Sequence, residues 1–505
     1  MEEKRQTPTG TKKIAAIVIA AVLVIGGAVA AFALIGKSPK EKYFLAEKDS
    51  MDFIVDQFEK RYQPETDWAE LTREKPSKAS YEVSAKYDGP GLAGSQELAM
   101  LNNSSLKVET GTDYKKKVAT ADVTLNLSGL EFGGLKFGIT KDELTAKLPF
   151  VKDTLLIKDK DLPNLLSELD STTDVEGMEF DFAQFFEQGL PEENQEYIKK
   201  EYGNMIYDEI PDEAFESKDE KVKIGKSDIS TEKITMKLSE KQTKDIIVKV
   251  LNKAKNDKKL KAMLQNQIGM QNFGMQINQN EYSKAYKENI EDMIQDVKDA
   301  SIPNGVKSTI WVADKLVVKR DFSVKAGETK DDLTQVTVKG EQNLGDNKQT
   351  FDYVFKSKTD FKEDEMTAKA DFSHKDDKIK DSAEFAVDGD KVNYEGNESL
   401  KDGKRKFERV VSFNESAGKP SSLVWSGTAK YKKEGMESDH TFKVDAPDMG
   451  NQNIELYMKK DAHTTDSIKK PSKENVKDLG KMSQSEIENY FMNEVIPSIG
   501  AQFGF

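Results

Sequence analysis

The sequence contains no cysteine and only three histidines, at positions 374, 440 and 463. The absence of cysteine excludes disulfide bonds, thiolate metal sites, cysteine nucleophiles and the lipid-modified cysteine that anchors bacterial lipoproteins. Three histidines also leave little material for an imidazole-based zinc site or a catalytic base. We therefore predict that the protein has no metal site and no cofactor.

Motifs of common enzyme classes are also missing. The chain has no Gly-x-x-x-x-Gly-Lys-Ser/Thr phosphate-binding loop and no Gly-x-Ser-x-Gly nucleophile elbow. The run from Glu437 to His440 holds a serine, two acids and an imidazole, but adjacent residues of a strand point to opposite faces. With 90 acidic residues, no particular carboxylate pair can be singled out. The sequence thus predicts no catalytic residue and a protein that is not an enzyme.

The composition indicates a folded chain with a well-solvated surface. Its 505 residues are enough for two or three domains. Hydrophobic residues make up 36% and charged residues 33%, so we expect thin cores, while 9% aromatic residues argue against disorder. The formal net charge of −14 gives no electrostatic basis for binding nucleic acid, and we predict no such partner.

One long apolar run lies near the N-terminus. Ile14 to Gly36 contains no charged residue, and a helix of this length measures about 34 Å, enough to cross a hydrocarbon core of roughly 30 Å. We expect residues 14–36 to be a transmembrane helix in the lipid bilayer and residues 1–13 to be a cytoplasmic tail. This predicts a signal-anchored, single-pass protein of the cell membrane, whose large C-terminal part is extracytoplasmic. The alternative is a signal peptide cleaved after Ala31-Phe-Ala33.

The remaining chain divides into helical and strand-like parts. Residues 37–77 contain a juxtamembrane amphipathic helix, at Lys40–Arg61, and a linker. Residues 78–505 are predicted to form one extracytoplasmic β-rich domain. Within it, residues 170–220 form an acidic helical insertion, whose aromatic residues are expected to pack on the sheet while its carboxylates stay solvated.

Two capping-box patterns predict helix starts. Ser239 with Gln242 opens one helix, and Ser483 with Glu486 opens another near the C-terminus. We expect the helices within residues 239–300 to cover the sheet, with Trp425 in their common core.

Apolar and charged residues alternate from Ser308 to about Lys460. Asp388-Gly389 and Asp402-Gly403 separate strands as tight hairpin turns. This pattern predicts a long antiparallel meander with one apolar and one solvated face. The predicted fold class is therefore α+β: an N-terminal transmembrane helix followed by a large, mainly antiparallel β-meander that forms a curved sheet, covered on one face by helices.

Several features of the N-terminal region occur together: the basic tail, the apolar span, the helix YFLAEKDSMDFIVDQFEKRY at 43–62 and the link from WAEL to KPS at 68–77. This layout resembles a family of single-pass envelope proteins of Gram-positive bacteria. The strands around 308–319 also look like those of LolA- and LppX-type lipoprotein carriers. That resemblance implies a curved sheet closed by helices around an apolar cavity, and it transfers no catalytic residue.

Two classes of function follow from these observations. The first is a membrane-anchored extracytoplasmic binding or scaffold protein, whose concave sheet holds a lipid, a lipoprotein segment or an envelope protein partner. The alternative is a cell-envelope enzyme that acts on wall polymers or membrane-surface substrates. We expect an apolar cavity between sheet and helices, with the Met-containing loop at 265–280 at its mouth. The possible apolar ligand contacts are Met270, Phe273, Met275 and Trp425.

Overall fold

The computed structural model describes most of the chain after residue 36. It describes residues 37–88, 95–169, 179–187, 191–271, 275–276, 279–414, 420–446 and 453–498, without the side chains of 266–281. The α-helices of these residues are α1 (Pro39–Glu74), α2 (Gln96–Asn102), α3 (Leu162–Leu169), α4 (Glu192–Ile198), α5 (Asn204–Glu209), α6 (Glu240–Asn256), α7 (Lys258–Gln271), α8 (Gln279–Asp299) and α9 (Gln484–Tyr490). Short 3-10 or π-helical turns lie at Asp159–Asp161, Phe182–Phe186, Lys199–Gly203, Asp212–Ala214, Leu479–Lys481 and Phe491–Val495.

Strands account for most of the remaining described residues. They are β1 (Ser77–Asp88), β2 (Ser104–Asp113), β3 (Val118–Leu127), β4 (Leu130–Thr140), β5 (Glu143–Lys147), β6 (Thr154–Lys158), β7 (Glu179–Phe180), β8 (Phe215–Ile224), β9 (Ser227–Leu238), β10 (Met275–Gln276), β11 (Val306–Ala313), β12 (Leu316–Gly327), β13 (Leu333–Gly345), β14 (Lys348–Lys358), β15 (Glu363–Lys375), β16 (Lys378–Val387), β17 (Asp390–Lys401), β18 (Lys404–Asn414), β19 (Ser421–Lys432), β20 (Gly435–Asp445), β21 (Asn453–Thr464) and β22 (Val476–Asp478).

Twenty of these strands form one sheet. Its hydrogen-bonded order begins β8–β9–β11–β12, continues through consecutive strands to β21, and then passes through β1 to β6 and ends at β22. Every neighbouring pair is antiparallel except β6 and β22. The meander predicted for residues 308–460 is therefore confirmed, and β1 joins it to the N-terminal strands because it lies between β21 and β2.

The predicted hairpin turns are also confirmed. Asp388 and Gly389 have φ angles of 51° and 98°, and Asp402 and Gly403 have φ angles of 51° and 72°. Two successive residues with positive φ make the turn whose twist matches that of an antiparallel pair, and Asp and Gly tolerate this conformation. These turns fix the register of β16 with β17 and of β17 with β18.

One face of the sheet is apolar across nearly its whole width. Directly paired residues of neighbouring strands point to the same face. Trp425 pairs with Phe442, Phe442 with Leu456, and Leu456 with Ala85. The pairings place Phe351, Phe385 and Phe413 on this face as well, which we call the apolar face. The opposite face carries most of the lysines, aspartates and glutamates of the meander.

The strands of the meander end at two edges, which α1 distinguishes. The turns at 345–348, 375–378, 401–404 and 432–435 lie at the edge that we call the helix end. The turns at 358–363 and 387–390 lie at the other edge, which we call the open end. Helix α1 crosses the apolar face obliquely: it begins over Ser308, near the open end of β11, and reaches the helix end at the turn between β19 and β20.

Contacts with successive strands define the path of α1. Lys42 forms an ion pair with Glu232 of β9 at 2.8 Å, and the Tyr43 hydroxyl hydrogen-bonds to Ser308 of β11. Thirty-three residues further along, Lys75 pairs with Glu434 in the turn between β19 and β20. The 36 residues of α1 correspond to about 54 Å of helix, and the nine spacings from β9 to β19 correspond to roughly 43 Å. One helix is therefore long enough to cross ten strands.

Helix α1 bends once on this path. The sequence predicts that the amphipathic helix ends at Arg61, before Pro64. In the structure the helix continues through Pro64 to Glu74. The backbone is non-helical only at Tyr62, with φ −113° and ψ 20°. Proline removes one helical hydrogen bond and crowds the preceding turn, so it kinks this helix without ending it.

Buried charged groups hold the second half of α1 on the sheet. Arg405 of β18 is 1% exposed. It donates to Glu65 of α1 at 2.6 Å, to the carbonyl oxygen of Arg61 at 2.5 Å and to Glu398 of β17 at 2.6 Å. Arg409 donates to the other oxygen of Glu398, also at 2.6 Å. Two guanidinium groups thus neutralise a carboxylate that has no access to water.

The same kind of contact holds the earlier turns of α1. Both nitrogens of the Arg320 fork donate to the two oxygens of Glu47, at 2.8 and 2.7 Å. Arg61 donates to Asp381 of β16 at 2.5 Å and to Gln349 of β14 at 3.1 Å. Bidentate and charge-assisted bonds constrain orientation as well as distance, so these contacts align α1 across the strands.

Two apolar cores lie at the two sides of the sheet. The larger core joins Tyr43 and Phe44 of α1 to Ile246 of α6, Val297 of α8 and strands β9, β11 and β12. The smaller core joins α3 and α9 to β6 through residues that include Leu165, Ile487 and Leu155. Both cores contact strands near the margins of the sheet, and the middle strands are left to α1.

The predicted fold class is wrong in its N-terminal part. Among the residues that the structure describes, no helix is long and apolar enough to cross a membrane. The N-terminal helix is α1, which carries charged residues along its length and packs on the sheet. The segment 14–36, on which the transmembrane prediction rests, lies outside the described residues. We therefore correct the signal-anchored, single-pass description and the cell-membrane localisation that followed from it.

The predicted cover of the sheet is also corrected. Helices within 239–300 pack against β9, β11 and β12, together with α1. Beyond these strands, the helix that lies on the meander is α1, which is held by ion pairs with β16 and β18. The sequence pattern alone does not show which charged side chains form these pairs. Trp425 is half-buried and packs on Phe407 and Phe442, outside the core formed by α6 and α8.

The structure predicts that Arg405 is needed to hold α1 in place. Replacing Arg405 by Ala leaves Glu65 without its buried partner, and breaking such a pair typically costs about 3–5 kcal/mol. Urea unfolding at neutral pH should show a loss of this size. As a control, Lys401→Ala removes a side chain that is 71% exposed and 3.8 Å from Asp377, and it should change stability by less than about 0.5 kcal/mol. Equal unfolding midpoints for the two variants would contradict the role of Arg405.

Candidate ligand-binding face

The open-end half of the apolar face is exposed to solvent. Large apolar side chains on this half are between 37% exposed, at Leu106, and 51% exposed, at Phe385. The other members of this set are Leu125, Met366, Val387, Val392, Phe413, Leu423, Val444 and Leu456. Strand pairing places all ten on the apolar face, in nine strands: β15 to β21, β2 and β3. We call this set the open strip.

Neighbouring members of the open strip form continuous rows across the strands. Phe385 pairs with Val392, and Val392 pairs with Phe413. In the next row, Leu423 pairs with Val444. Cross-strand neighbours lie about 4.5–5.5 Å apart at their Cβ atoms, so these side chains present one continuous apolar surface.

Described elements bound the open strip on three sides. Helix α1 lies along its long side at the helix end, through contacts such as Arg61 with Asp381. Helices α6 and α8 stand over β9, β11 and β12 at one short side, and α3 and α9 stand over β6 at the other. The strip is thus the floor of a long apolar groove. The fourth side of the groove lies along the open end of the strands.

An aromatic cluster lies between α1 and the open strip. Trp425 stacks on Phe442, with ring centroids 5.6 Å apart, and meets Phe407 edge to face at 5.2 Å. The guanidinium of Arg409 lies 4.6 Å from the Trp425 ring centroid. This cluster separates the charged groups under α1 from the apolar floor of the groove.

His440 belongs to this cluster and has both ring nitrogens engaged. The indole nitrogen of Trp425 donates to Nδ1 of His440 at 3.1 Å, and Nε2 lies 2.9 Å from the Ser438 hydroxyl. Burial lowers the pKa of His440, and the positive charge of Lys460 lowers it further. Asp439 points to the opposite face. The Glu437–His440 run therefore brings a serine and an imidazole into contact, while its two acids project from the opposite face.

The predicted ligand contacts are not brought together by the described residues. Met270 lies in α7 and Met275 in the short strand β10, which pairs with β7, and neither side chain is described. Phe273 lies outside the described residues. Trp425 is on the apolar face, next to the open strip. Of the four residues, Trp425 is the one that the structure places beside a candidate binding surface.

The expected cavity between the sheet and the helices of 239–300 is filled with side chains. Ile246 and Ile247 of α6 pack directly on buried strand residues such as Ile234 and Met236, which are 0% exposed. A cavity of about 890 Å³ lies instead on the opposite, polar face, under the segment 465–474. Its lining includes both positively charged lysines and negatively charged carboxylates. In the covering segment, Ile468 lies against Gly111 and Pro471 lies against Gly138.

No metal centre is apparent in the part of the chain that the structure describes. Within it, no group of three or more His, Asp or Glu side chains could hold a metal ion. The residues that the sequence analysis missed are the arginines and carboxylates under α1. Apolar-face positions such as Arg405 and Glu398 break the apolar alternation of their strands, and that break was the available signal.

Comparisons with known proteins identify no family. No protein-family model and no curated protein matches the chain. A chain of the E. coli P pilus tip assembly intermediate PapC-PapD-PapK-PapG is 6% identical over 72% of this chain and 34% of that chain, with a TM-score of 0.28. This chain thus spans about a third of the length of that structure.

Two further solved structures are from Pseudomonas aeruginosa. OccK5 (OpdH) is 6% identical over 77% of this chain and 97% of that chain, with a TM-score of 0.25. OccK9 (OpdG) is 6% identical over 77% of this chain and 98% of that chain, also with a TM-score of 0.25. Scores of this size carry no argument about function. What can be stated is that the chain is built on one large, mainly antiparallel sheet.

The environment of His440 predicts a specific pH dependence. Its pKa in the folded protein lies below the ordinary value of 6.5, so the unfolded chain binds the proton more tightly. His440 therefore favours folding above pH 6.5, and this contribution is lost as the pH falls through 6.5 towards its folded pKa. When the pH is lowered from 8 to 5, the free energy of unfolding should fall less in His440→Gln than in the wild type. The difference between the two decreases should be less than about 1 kcal/mol, because solvent partly screens the group.

Urea unfolding at several pH values measures this effect. The wild type and His440→Gln are compared at pH 8 first, where the difference reports only the lost contacts. Parallel stability curves of the two proteins down to pH 5 would contradict the lowered pKa.

Proposed function

We propose that this protein is a binding protein that holds elongated apolar ligands, such as lipid acyl chains, on the open strip of its sheet. The observation that carries the proposal is the exposure of ten large apolar side chains on one continuous face. The proposal keeps the binding role expected from the sequence and moves the ligand from an enclosed cavity to an open groove.

The size of the open strip supports a binding role. Ten neighbouring strands from β15 to β3, with β1 among them, span roughly 43 Å at about 4.8 Å per strand, and four residues along a strand add about 13 Å. The strip therefore covers on the order of 560 Å². Exposed apolar patches on monomeric proteins rarely exceed a few hundred Å², and larger ones mark interaction sites.

The shape and chemistry of the strip favour an apolar chain as the ligand. The backbone groups of its strands already pair with neighbouring strands, so the floor offers few hydrogen bonds to a ligand. Burial of apolar surface is then the main favourable contribution, at roughly 25 cal/mol per Å². The same surface supports a second candidate function, a scaffold role in which a protein partner covers the strip.

Two substitutions in β18 test the proposal. Phe413→Glu adds a carboxylate to the open strip, and Ser412→Glu adds one to the opposite face of the same strand. Affinity for a fluorescent long-chain acyl probe should fall at least about tenfold in Phe413→Glu, because a bound chain would desolvate the new charge. Ser412→Glu should stay within about twofold of the wild type. Circular dichroism melting confirms that both variants fold.

Native mass spectrometry gives a second readout. The wild type and Ser412→Glu should retain co-purified lipid that Phe413→Glu loses. Any lipid held by other parts of the chain is common to all three proteins and cancels in the comparison. Equal lipid retention and equal probe affinity in the two variants would contradict lipid binding on the strip.

A further inference from the structure

Lys460 is a positively charged residue on the apolar face. In strand β21 it pairs with Ser438 of β20 and with Tyr81 of β1, both of which lie on that face. Its ammonium nitrogen lies 5.3 Å from the centroid of the Tyr81 ring, and the side chain is half-buried. A cation held over an aromatic ring on an apolar surface keeps little of its hydration.

Three carboxylates on this face between β14 and β21 have opposite charges beside them. Asp381 pairs with Arg61, and Asp364 pairs with Lys362. Glu398 takes the two arginines Arg405 and Arg409. Lys460 differs, since no carboxylate of the described residues lies within ion-pair distance of its nitrogen. The neighbouring acids Asp439 and Asp461 project from the opposite face of the sheet.

The groups around Lys460 suit an anion. Ser438 is its direct cross-strand neighbour, and its hydroxyl is held by His440, whose other nitrogen accepts from Trp425. Lys460 depresses the pKa of His440, so its charge acts on this part of the face. A negative group that binds here would meet the ammonium of Lys460, for which the described residues supply no carboxylate within ion-pair distance.

An apolar track leads from Lys460 to the open end of the sheet. On β21 it consists of Met458, Leu456 and Ile454, and on the neighbouring β1 of the paired residues Val83, Ala85 and Tyr87. The seven residues from Lys460 to Ile454 span roughly 20 Å, which is the length scale of a long acyl chain. The track joins the open strip at Leu456.

We propose that Lys460 binds the head group of an anionic amphiphile, whose acyl chain lies along β21 and β1 towards the open end. The inference rests on the proposed function, because it assigns the ligand class of the same groove. Charge complementarity carries it: Lys460, which has no carboxylate of the described residues within ion-pair distance, stands at the inner end of an apolar track. The head-group chemistry is a carboxylate or a phosphate, and both accept charge-assisted hydrogen bonds from an ammonium group.

Three probes with the same chain length separate head group from chain. Palmitate carries a carboxylate, hexadecyl phosphate carries a phosphate, and hexadecanol is neutral. Binding of each to the full-length protein is measured by displacement of the acyl probe at pH 8. The wild type should bind both anionic probes at least about tenfold more tightly than hexadecanol, since hydrogen bonds from an ammonium group to a charged acceptor are stronger than those to a neutral hydroxyl.

Substitutions at neighbouring positions supply the matched control. Lys460→Gln should lose about tenfold in affinity for the anionic probes and leave hexadecanol binding unchanged. Lys459→Gln removes the same charge from the opposite face of the same strand and should leave all three affinities unchanged. Lys460→Arg should restore most of the preference for anions. The probe with the larger loss in Lys460→Gln identifies the head group.

The outcomes distinguish the two proposals. Suppose that the wild type binds hexadecanol, that Phe413→Glu does not, and that Lys460→Gln still prefers the anionic probes. The head-group site is then wrong, and the proposal of a binding groove stands. If Lys459→Gln and Lys460→Gln weaken anion binding equally, the overall field of the protein is responsible and Lys460 has no special role. If hexadecanol loses as much affinity as palmitate in Lys460→Gln, Lys460 supports the groove only by packing, which also overturns the assignment. If the wild type binds none of the probes, the proposed function fails as well.

Discussion

The arrangement of this protein depends on the ion pairs buried between α1 and the sheet. Arg320, Arg61 and Arg405 each meet a carboxylate across this contact, at separations of 2.5 to 2.7 Å. An isolated charge in such a place is costly, so each pair must form once the helix lies on the strands. Buried pairs add little net stability compared with apolar packing, and we infer that their main effect is to fix where and in which direction α1 lies.

That fixed position decides how much of the apolar face stays uncovered. A strand of twelve residues is about 40 Å long, whereas a helix with its side chains is about 10–12 Å wide. One helix laid obliquely across the strands therefore covers a single band, which lies near the helix end from β14 to β19, and leaves the open-end half of β15 to β21 bare. The two apolar cores close only the margins of the sheet. The exposed groove is thus a geometric consequence of covering a wide sheet with one transverse helix.

The same contact decides which charged groups of the apolar face are engaged. Glu398 and Asp381 each have an arginine partner beneath α1, and His440 is engaged on both ring nitrogens. What faces solvent on the open-end half of this face is a long hydrocarbon surface. Lys460 lies at the inner part of that surface, and no carboxylate of the described residues lies within ion-pair distance of its nitrogen.

The sequence by itself determined the local features of this protein. Alternation placed the strands of the meander, Asp-Gly pairs placed their turns, and the boxes at Ser239 and Ser483 placed two helix starts. These features depend on residues a few positions apart, where dihedral preference and side-chain period act directly. The tertiary structure decided which helix lies on which strands, because the partners of Arg405 or Glu47 are hundreds of residues away and no local pattern pairs them. It also decided that the apolar half of the strands is exposed, since the same alternation describes a strand under a helix and a strand in an open groove.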